Sequence, residues 1–136
     1  MLFLIPALLG FIALYDFRHH RIPNYLVYIF LILSTIHLET WHVKTTLIWG
    51  IGFVCLKLIM ERFLNRPALG WGDIKLMMVM GLWLPLEMMP VFLIYIGVLG
   101  MLMGIFYKIF WKKDVFPFAP ALILGFLWTI KNMYLN

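Results

Sequence analysis

Apolar residues fill six long stretches of the chain, separated by short breaks that are polar or rich in proline and glycine. A helix that crosses a bilayer needs about 20 apolar residues, so the pattern predicts six membrane-spanning helices. They run approximately over residues 1–20, 23–37, 45–63, 73–84, 89–110 and 117–134. The fourth stretch is short for a span, so we expect its ends to lie in protein or in a water-filled recess. The predicted fold is therefore an all-α integral membrane protein, with one membrane-embedded domain over residues 1–136.

Composition excludes an ordinary soluble domain, because 65% of the residues are hydrophobic and only 12% are charged. A net charge of +5 would suggest nucleic-acid binding in a soluble protein. Here the basic residues flank the apolar stretches, so we expect membrane lipid as their partner and no nucleic acid. Cys55 is the one cysteine, which excludes an internal disulfide and a CxxC zinc motif. We therefore predict no metal and no cofactor.

The basic residues also predict an orientation. Only Lys44 and Lys131 fall on one side of the predicted bundle, whereas the others fall in or beside the loops after spans one, three and five. These others are Arg18, Arg21, Lys57, Arg62, Arg66, Lys75, Lys108, Lys112 and Lys113. Because cytoplasmic loops carry an excess of Lys and Arg, we expect those three loops in the cytoplasm and both termini on the non-cytoplasmic side.

Asp16 and Asp73 are the acids that point to chemistry. They lie at the ends of the first and fourth stretches, and the predicted topology brings both to the cytoplasmic face. An ionisable side chain at the edge of hydrocarbon is costly, so it indicates a functional site. Two simpler roles remain open: Asp16 as an interface acid paired with Arg18 or Arg21, and Asp73 as the N-cap of helix four.

Gly70 and Gly72 precede Asp73, and we expect an unusual backbone bend there that turns the carboxylate into a cavity. Two carboxylates brought together do not both ionise easily. One can then activate water while the other protonates a carbonyl, which is the chemistry of amide hydrolysis without metal or covalent nucleophile. The sequence leaves open which aspartate is the acid and which is the base.

Three segments carry a resemblance to a known family. The run Gly70-Trp71-Gly72-Asp73-Ile74-Lys75-Leu76 resembles the GxGDxKL signature of type IV prepilin peptidases, which are GxGD aspartic peptidases. Asp16 to Asn24 resembles the family's first-aspartate segment, and Pro117-Phe118-Ala119-Pro120 its late proline element, with Ala119 where glycine is usual. The resemblance implies Asp16 and Asp73 as catalytic residues. It implies active-site support from Gly70, Gly72, Lys75, Pro23, Asn24, Pro117 and Pro120.

The resemblance further implies a multi-pass protein of the inner (plasma) membrane. It implies cleavage of the leader from prepilins or pseudopilins at the cytoplasmic membrane face. Larger members of the family carry a loop with paired CxxC motifs and methylate the new N-terminus. This chain has neither CxxC pair, so it resembles the short peptidase-only form, and we do not expect N-methylation.

Two rival functions stay open. Tyr15-Asp16, the Gly70 to Asp73 run and Pro120-Ala121-Leu122 also resemble elements of presenilin and signal peptide peptidase, which would imply cleavage of other signal peptides. A non-enzymatic transporter or assembly subunit could use the two acids to carry protons or cations. The Gly100-x-x-x-Gly104 run predicts close helix packing, within the bundle or in a homo-oligomer.

Overall fold

The structure, a computed structural model, describes residues 4–37, 42–65, 69–112 and 116–135. These residues form six α-helices, and a 3₁₀ turn over Leu86–Met88 precedes the fifth. The helices are α1 (Leu4–His19), α2 (Asn24–His37), α3 (Val43–Leu64), α4 (Trp71–Gly81), α5 (Met89–Phe110) and α6 (Ala119–Leu135). The predicted all-α fold and the six helical stretches are thereby confirmed, with Met1 at the start of the first stretch outside the described residues.

Four helices begin at other residues than the apolar pattern predicted. α3 begins two residues earlier, at Val43. α4 also begins two residues earlier, at Trp71, and the Ile74 N–H donates to the Gly70 carbonyl at 3.3 Å. α2 begins at Asn24, so Pro23 lies just before the helix and its carbonyl accepts the Leu26 N–H at 3.1 Å. α6 begins only at Ala119, because the preceding residues 116–118 lie outside the helix.

Two stretches within the described part of the chain, Val43–Phe63 and Leu86–Phe110, are long and apolar enough to cross a bilayer. Only 28% and 17% of their apolar windows are buried within the protein, so they are not the core helices of a soluble domain. α4 has 11 residues, a rise of about 16 Å, and cannot cross hydrocarbon about 30 Å thick on its own. Six spans, and the side on which the termini lie, therefore stay predictions.

The chain divides into two compact units. The first unit comprises Met1–Ile22 and Glu87–Asn136 and contains α1, α5 and α6. The second unit is Pro23–Leu86 and contains α2, α3 and α4.

In the second unit, α4 is the buried helix. Most of its residues after Asp73 are buried, and it packs against α3 and α2. The helices α3 and α4 approach closely at Gly81, where an added Cβ would lie 3.1 Å from the Thr46 Cα. The Trp83 indole N–H, just after α4, donates to the Ser34 hydroxyl of α2 at 2.9 Å. A helix too short to span is thus sheltered by its own unit.

In the first unit, α6 packs against both α1 and α5. Two glycines of α5 lie against aromatic rings of the segment before α6. An added Cβ on Gly100 would lie 2.8 Å from the Phe118 ring, and one on Gly104 would lie 3.3 Å from the Phe116 ring. The two glycines thus pack against aromatic rings of a non-helical segment and not against another helix, while a role of the run in a homo-oligomer stays a prediction. The packing holds the segment over residues 116–118 against α5.

Candidate active site

Asp16 is held inside the first unit. It lies one helical turn before the end of α1 and is 5% exposed. Its Oδ2 accepts the backbone N–H of Ala119, the first residue of α6, at 3.1 Å. The first N–H groups of a helix have no partner within the helix and carry a partial positive charge, so they stabilise a carboxylate. Arg18 and Arg21 are exposed, and Ala119 rather than an arginine holds Asp16 in place.

The proline element therefore lies beside the first aspartate. Pro117 is buried and Ala119 is completely buried. Pro120 is the second residue of α6, where the missing N–H of proline costs no hydrogen bond. The contact joins residues 103 positions apart. Two of the three segments that carry the family resemblance are thus brought together.

Tyr107 is a buried tyrosine of α5, in the same unit as Asp16, that the sequence did not single out. Its ring stacks on Trp111 at 4.9 Å and meets Phe17 edge-on at 6.0 Å, measured between ring centroids. A tyrosine in a long apolar stretch gives no sequence signal for such packing.

Asp73 lies in the first turn of α4, as its third residue, and is half-buried. The N-cap of this helix is Gly70, not Asp73, and Gly70 makes no side-chain cap hydrogen bond. A Cβ added to Gly70 would lie 2.8 Å from the Asp73 Oδ2. The carboxylate therefore folds back over Gly70, and the glycine is needed for this close approach.

The expected unusual backbone at Gly70 and Gly72 is wrong. Gly70 is extended, with φ −70° and ψ 142°, and Gly72 lies within the first turn of α4. Among the described residues, no glycine has a positive φ. The first turn of a regular helix, rather than a strained bend, therefore positions Asp73.

Asn24 and Lys75 are brought together in the second unit. The Lys75 ammonium donates to the Asn24 Oδ1 at 3.0 Å and so joins the start of α2 to the start of α4. Pro23 lies directly before this contact, at the end of the segment that begins with Asp16. This hydrogen bond joins two residues that are 51 positions apart. It thus links the GxGD run directly to the Ile-Pro-Asn run.

The predicted site residues fall into two sets, one in each unit. Asp16, Pro117 and Pro120 belong to the first. Pro23, Asn24, Gly70, Gly72, Asp73 and Lys75 belong to the second. The structure describes each set within its own unit, and the joint action of the two carboxylates stays a prediction. Within the described ranges, no three of the His, Cys, Asp and Glu side chains are grouped to hold a metal ion.

Lys57, counted beside the loop after span three, lies within α3 and is buried, with 5% of its surface exposed. The predicted span over residues 45–63 already contained it, but the sequence did not indicate its burial. Arg66 and Lys113, two other members of that count, lie outside the described residues.

The helices define the class: an all-α protein with stretches apolar and long enough to cross a membrane. The chain belongs to the type IV leader peptidase family, whose model matches residues 3–105. It is therefore a membrane peptidase of that family. The match includes both Asp16 and Asp73 and ends before Pro117. No curated protein and no solved structure matches the chain.

Proposed function

We propose that the chain is an aspartic endopeptidase of the inner membrane that removes the leader from type IV prepilins or pseudopilins. The observation that carries this proposal is the family match over residues 3–105, which contains both predicted catalytic aspartates. The resemblance of the Pro117 to Pro120 element adds to it, because that element lies outside the match and yet contacts Asp16.

In the proposed mechanism, Asp16 and Asp73 act on one peptide bond. The ionised carboxylate takes a proton from water, and the resulting hydroxide adds to the scissile carbonyl carbon. The protonated carboxylic acid gives its proton to the carbonyl oxygen. The tetrahedral intermediate collapses when the leaving nitrogen is protonated and the C–N bond breaks. The products are a new carboxylate on the leader and a new amine on the pilin.

The local structure around each aspartate suits this chemistry. The Ala119 N–H fixes one oxygen of Asp16 and thereby orients the other. Asp73 is half-buried at the first turn of α4, so water can reach it while helix and glycine backbone fix its position. Rigid backbone elements on both sides satisfy the requirement that catalytic groups be held before the substrate arrives.

The substrate is proposed to meet these groups at the membrane boundary. A pilin leader lies in the cytoplasm and the helix that follows it lies in the bilayer, so its scissile bond lies between the two. The eleven residues of α4 are too few for a span. Its start would therefore open onto a wet recess on the cytoplasmic side, where water and the scissile bond both have access.

The test is cleavage of a prepilin by the purified protein in lipid vesicles. We expect a cut at the end of the leader, in the presence of EDTA as well as in its absence, because the mechanism requires only water and two carboxylates. Loss of cleavage in EDTA that added zinc restores would contradict the mechanism. A chain that leaves the prepilin intact but moves protons or cations across the vesicle would contradict the function itself.

A further inference from the structure

Lys57 is a charged side chain in a costly place. It lies in the apolar helix α3, and its side chain is 7% exposed. Taking an ammonium group out of water costs several kcal/mol unless ion pairs and hydrogen bonds replace the lost hydration. An ionisable residue at such depth in a membrane protein therefore indicates a specific task.

The Lys57 ammonium makes three contacts. It donates to the Glu61 carboxylate one turn later on α3, and to the backbone carbonyl of Leu69. It also lies over the Trp71 ring, 5.1 Å from the ring centroid, where the negative face of an indole attracts a cation. Two of these three partners lie on the segment that leads into α4, so the ammonium fastens that segment to α3.

The fastened residues flank the glycine on which Asp73 depends. Leu69 and Trp71 are the neighbours of Gly70, and the Asp73 carboxylate folds back over Gly70. Contacts on both sides hold the backbone of Gly70 in place. The position of the Asp73 carboxylate relative to α3 therefore depends on the Lys57 ammonium.

The contact also fixes where α4 begins relative to α3. The Lys57 ammonium reaches Glu61, one turn further along α3, and binds Leu69 and lies over Trp71 from there. The start of α4 is therefore held beside the last turns of α3.

We propose that Lys57 is a positioning residue for the peptidase reaction, which holds the segment over residues 69–71 so that Asp73 is presented in a fixed position beside α3. This inference rests on the proposed function, in which Asp73 reacts with the substrate. It predicts that loss of the ammonium lowers the rate of the chemical step more than it weakens substrate binding.

The first test compares Lys57→Met with Lys57→Arg. Methionine has a similar length but no charge and no donor, whereas arginine can donate to both oxygens and stack on the indole. We expect Lys57→Met to lower kcat by about tenfold or more, because a displacement of about 1 Å can cost up to about a hundredfold. KM should change by less than about threefold. Lys57→Arg should recover most of the rate.

The matched control is Lys44→Met, which removes an exposed lysine from the first turn of the same helix. It should keep the wild-type kcat. Wild-type kcat in Lys57→Met, or a loss in Lys57→Met that Lys57→Arg does not recover at all, would overturn the proposal.

A second measurement does not depend on activity. A single cysteine at Leu69, in a Cys55→Ala background, is labelled with a maleimide in the presence and absence of the Lys57→Met change. Release of the segment should raise the labelling rate by about tenfold, as expected when a local opening costs about 1.4 kcal/mol less. A cysteine at Leu86, in the turn before α5, should react at the same rate in both backgrounds.

Unchanged labelling at position 69 would overturn the proposal, whatever the cleavage rate. If instead Asp73→Asn still cleaves the prepilin while labelling responds to Lys57→Met, the proposed function has failed and the contact stands.

If Lys57→Met does not fold, Trp71→Leu and Trp71→Phe replace it, because Trp71 is 56% exposed. Leucine should raise the labelling rate and lower kcat, phenylalanine should preserve both, and equal behaviour of the two would contradict the proposal.

Discussion

At the scale of single residues, Asp16 and Asp73 have one feature in common: each carboxylate lies at the start of a helix. Asp16 accepts the first N–H of α6, and Asp73 lies in the first turn of α4. Helix N-termini supply hydrogen-bond donors and a partial positive charge. In both cases the neighbouring residue is small: Ala119 at the one and Gly70 at the other. Each carboxylate therefore lies close to helix backbone: Asp16 accepts the Ala119 N–H, and Asp73 folds back over Gly70.

Gly70→Ala tests how closely Asp73 is placed. The added Cβ would lie 2.8 Å from the Asp73 Oδ2, so the carboxylate has to move. We expect kcat for prepilin cleavage to fall by about tenfold or more, with little change in KM. The control is Gly52→Ala on α3, where an added Cβ meets nothing within 4 Å. Equal kcat in both variants would show that the close approach does not matter.

The sequence identified the acids but not the residues that hold them. Asp16 and Asp73 stand out because carboxylates are rare in this chain, with six Asp and Glu in 136 residues. Lys57 and Ala119 do not stand out, since a lysine near a predicted loop or an alanine at a helix start has an ordinary explanation. Their contacts with residues far along the chain are not contained in a residue pattern.

At the scale of elements, apolar length predicted every helix, but the first residues of four of them differ. Hydropathy does not distinguish the start of α4, or the non-helical residues 116–118 before α6, from the apolar stretches that they adjoin. For the short α4, the pattern predicted ends that lie in protein or in a water-filled recess. α4 packs against α2 and α3 within its own unit, while Gly70 and Trp71 at its start are exposed.

Gly81→Ala tests the packing of α4 on α3. An added Cβ would lie 3.1 Å from the Thr46 Cα, and backbone atoms cannot turn aside as a side chain can. Overfilling a packed contact costs about 1–3 kcal/mol. We expect a lower unfolding temperature in detergent for this variant. Gly52→Ala should be unchanged or slightly more stable, because alanine favours a helix over glycine by up to about 1 kcal/mol. A Gly81→Ala protein as stable as Gly52→Ala would contradict the packing.

At the scale of the whole molecule, the direction of insertion decides whether the site can meet its substrate. The bias of Lys and Arg predicts that the loop after α3 lies in the cytoplasm. If it does, the start of α4 faces the compartment in which we propose that the pilin leader lies. Membrane insertion itself could be predicted from composition, whereas the arrangement of the helices required contacts between distant residues such as Asp16 and Ala119.

Single cysteines test this direction in a Cys55→Ala background, which removes the exposed native thiol. A cysteine at Asn65, directly after α3, should react with a membrane-impermeant thiol reagent only from the cytoplasmic side. A cysteine at Leu86, in the turn after α4, should react only from the opposite side. The reversed pattern would place the start of α4 away from the leader and contradict the proposed function.

The most direct measurement of the central claim is prepilin cleavage by purified Asp16→Asn and Asp73→Asn proteins, each reconstituted in lipid vesicles beside the wild type. Asparagine preserves the size of aspartate and can accept the Ala119 N–H, but it cannot exchange a proton as a carboxylate does. The account predicts that both variants insert and fold like the wild type and leave the leader uncut, with rates at least about a thousandfold lower. Cleavage at the wild-type rate by either variant would contradict it.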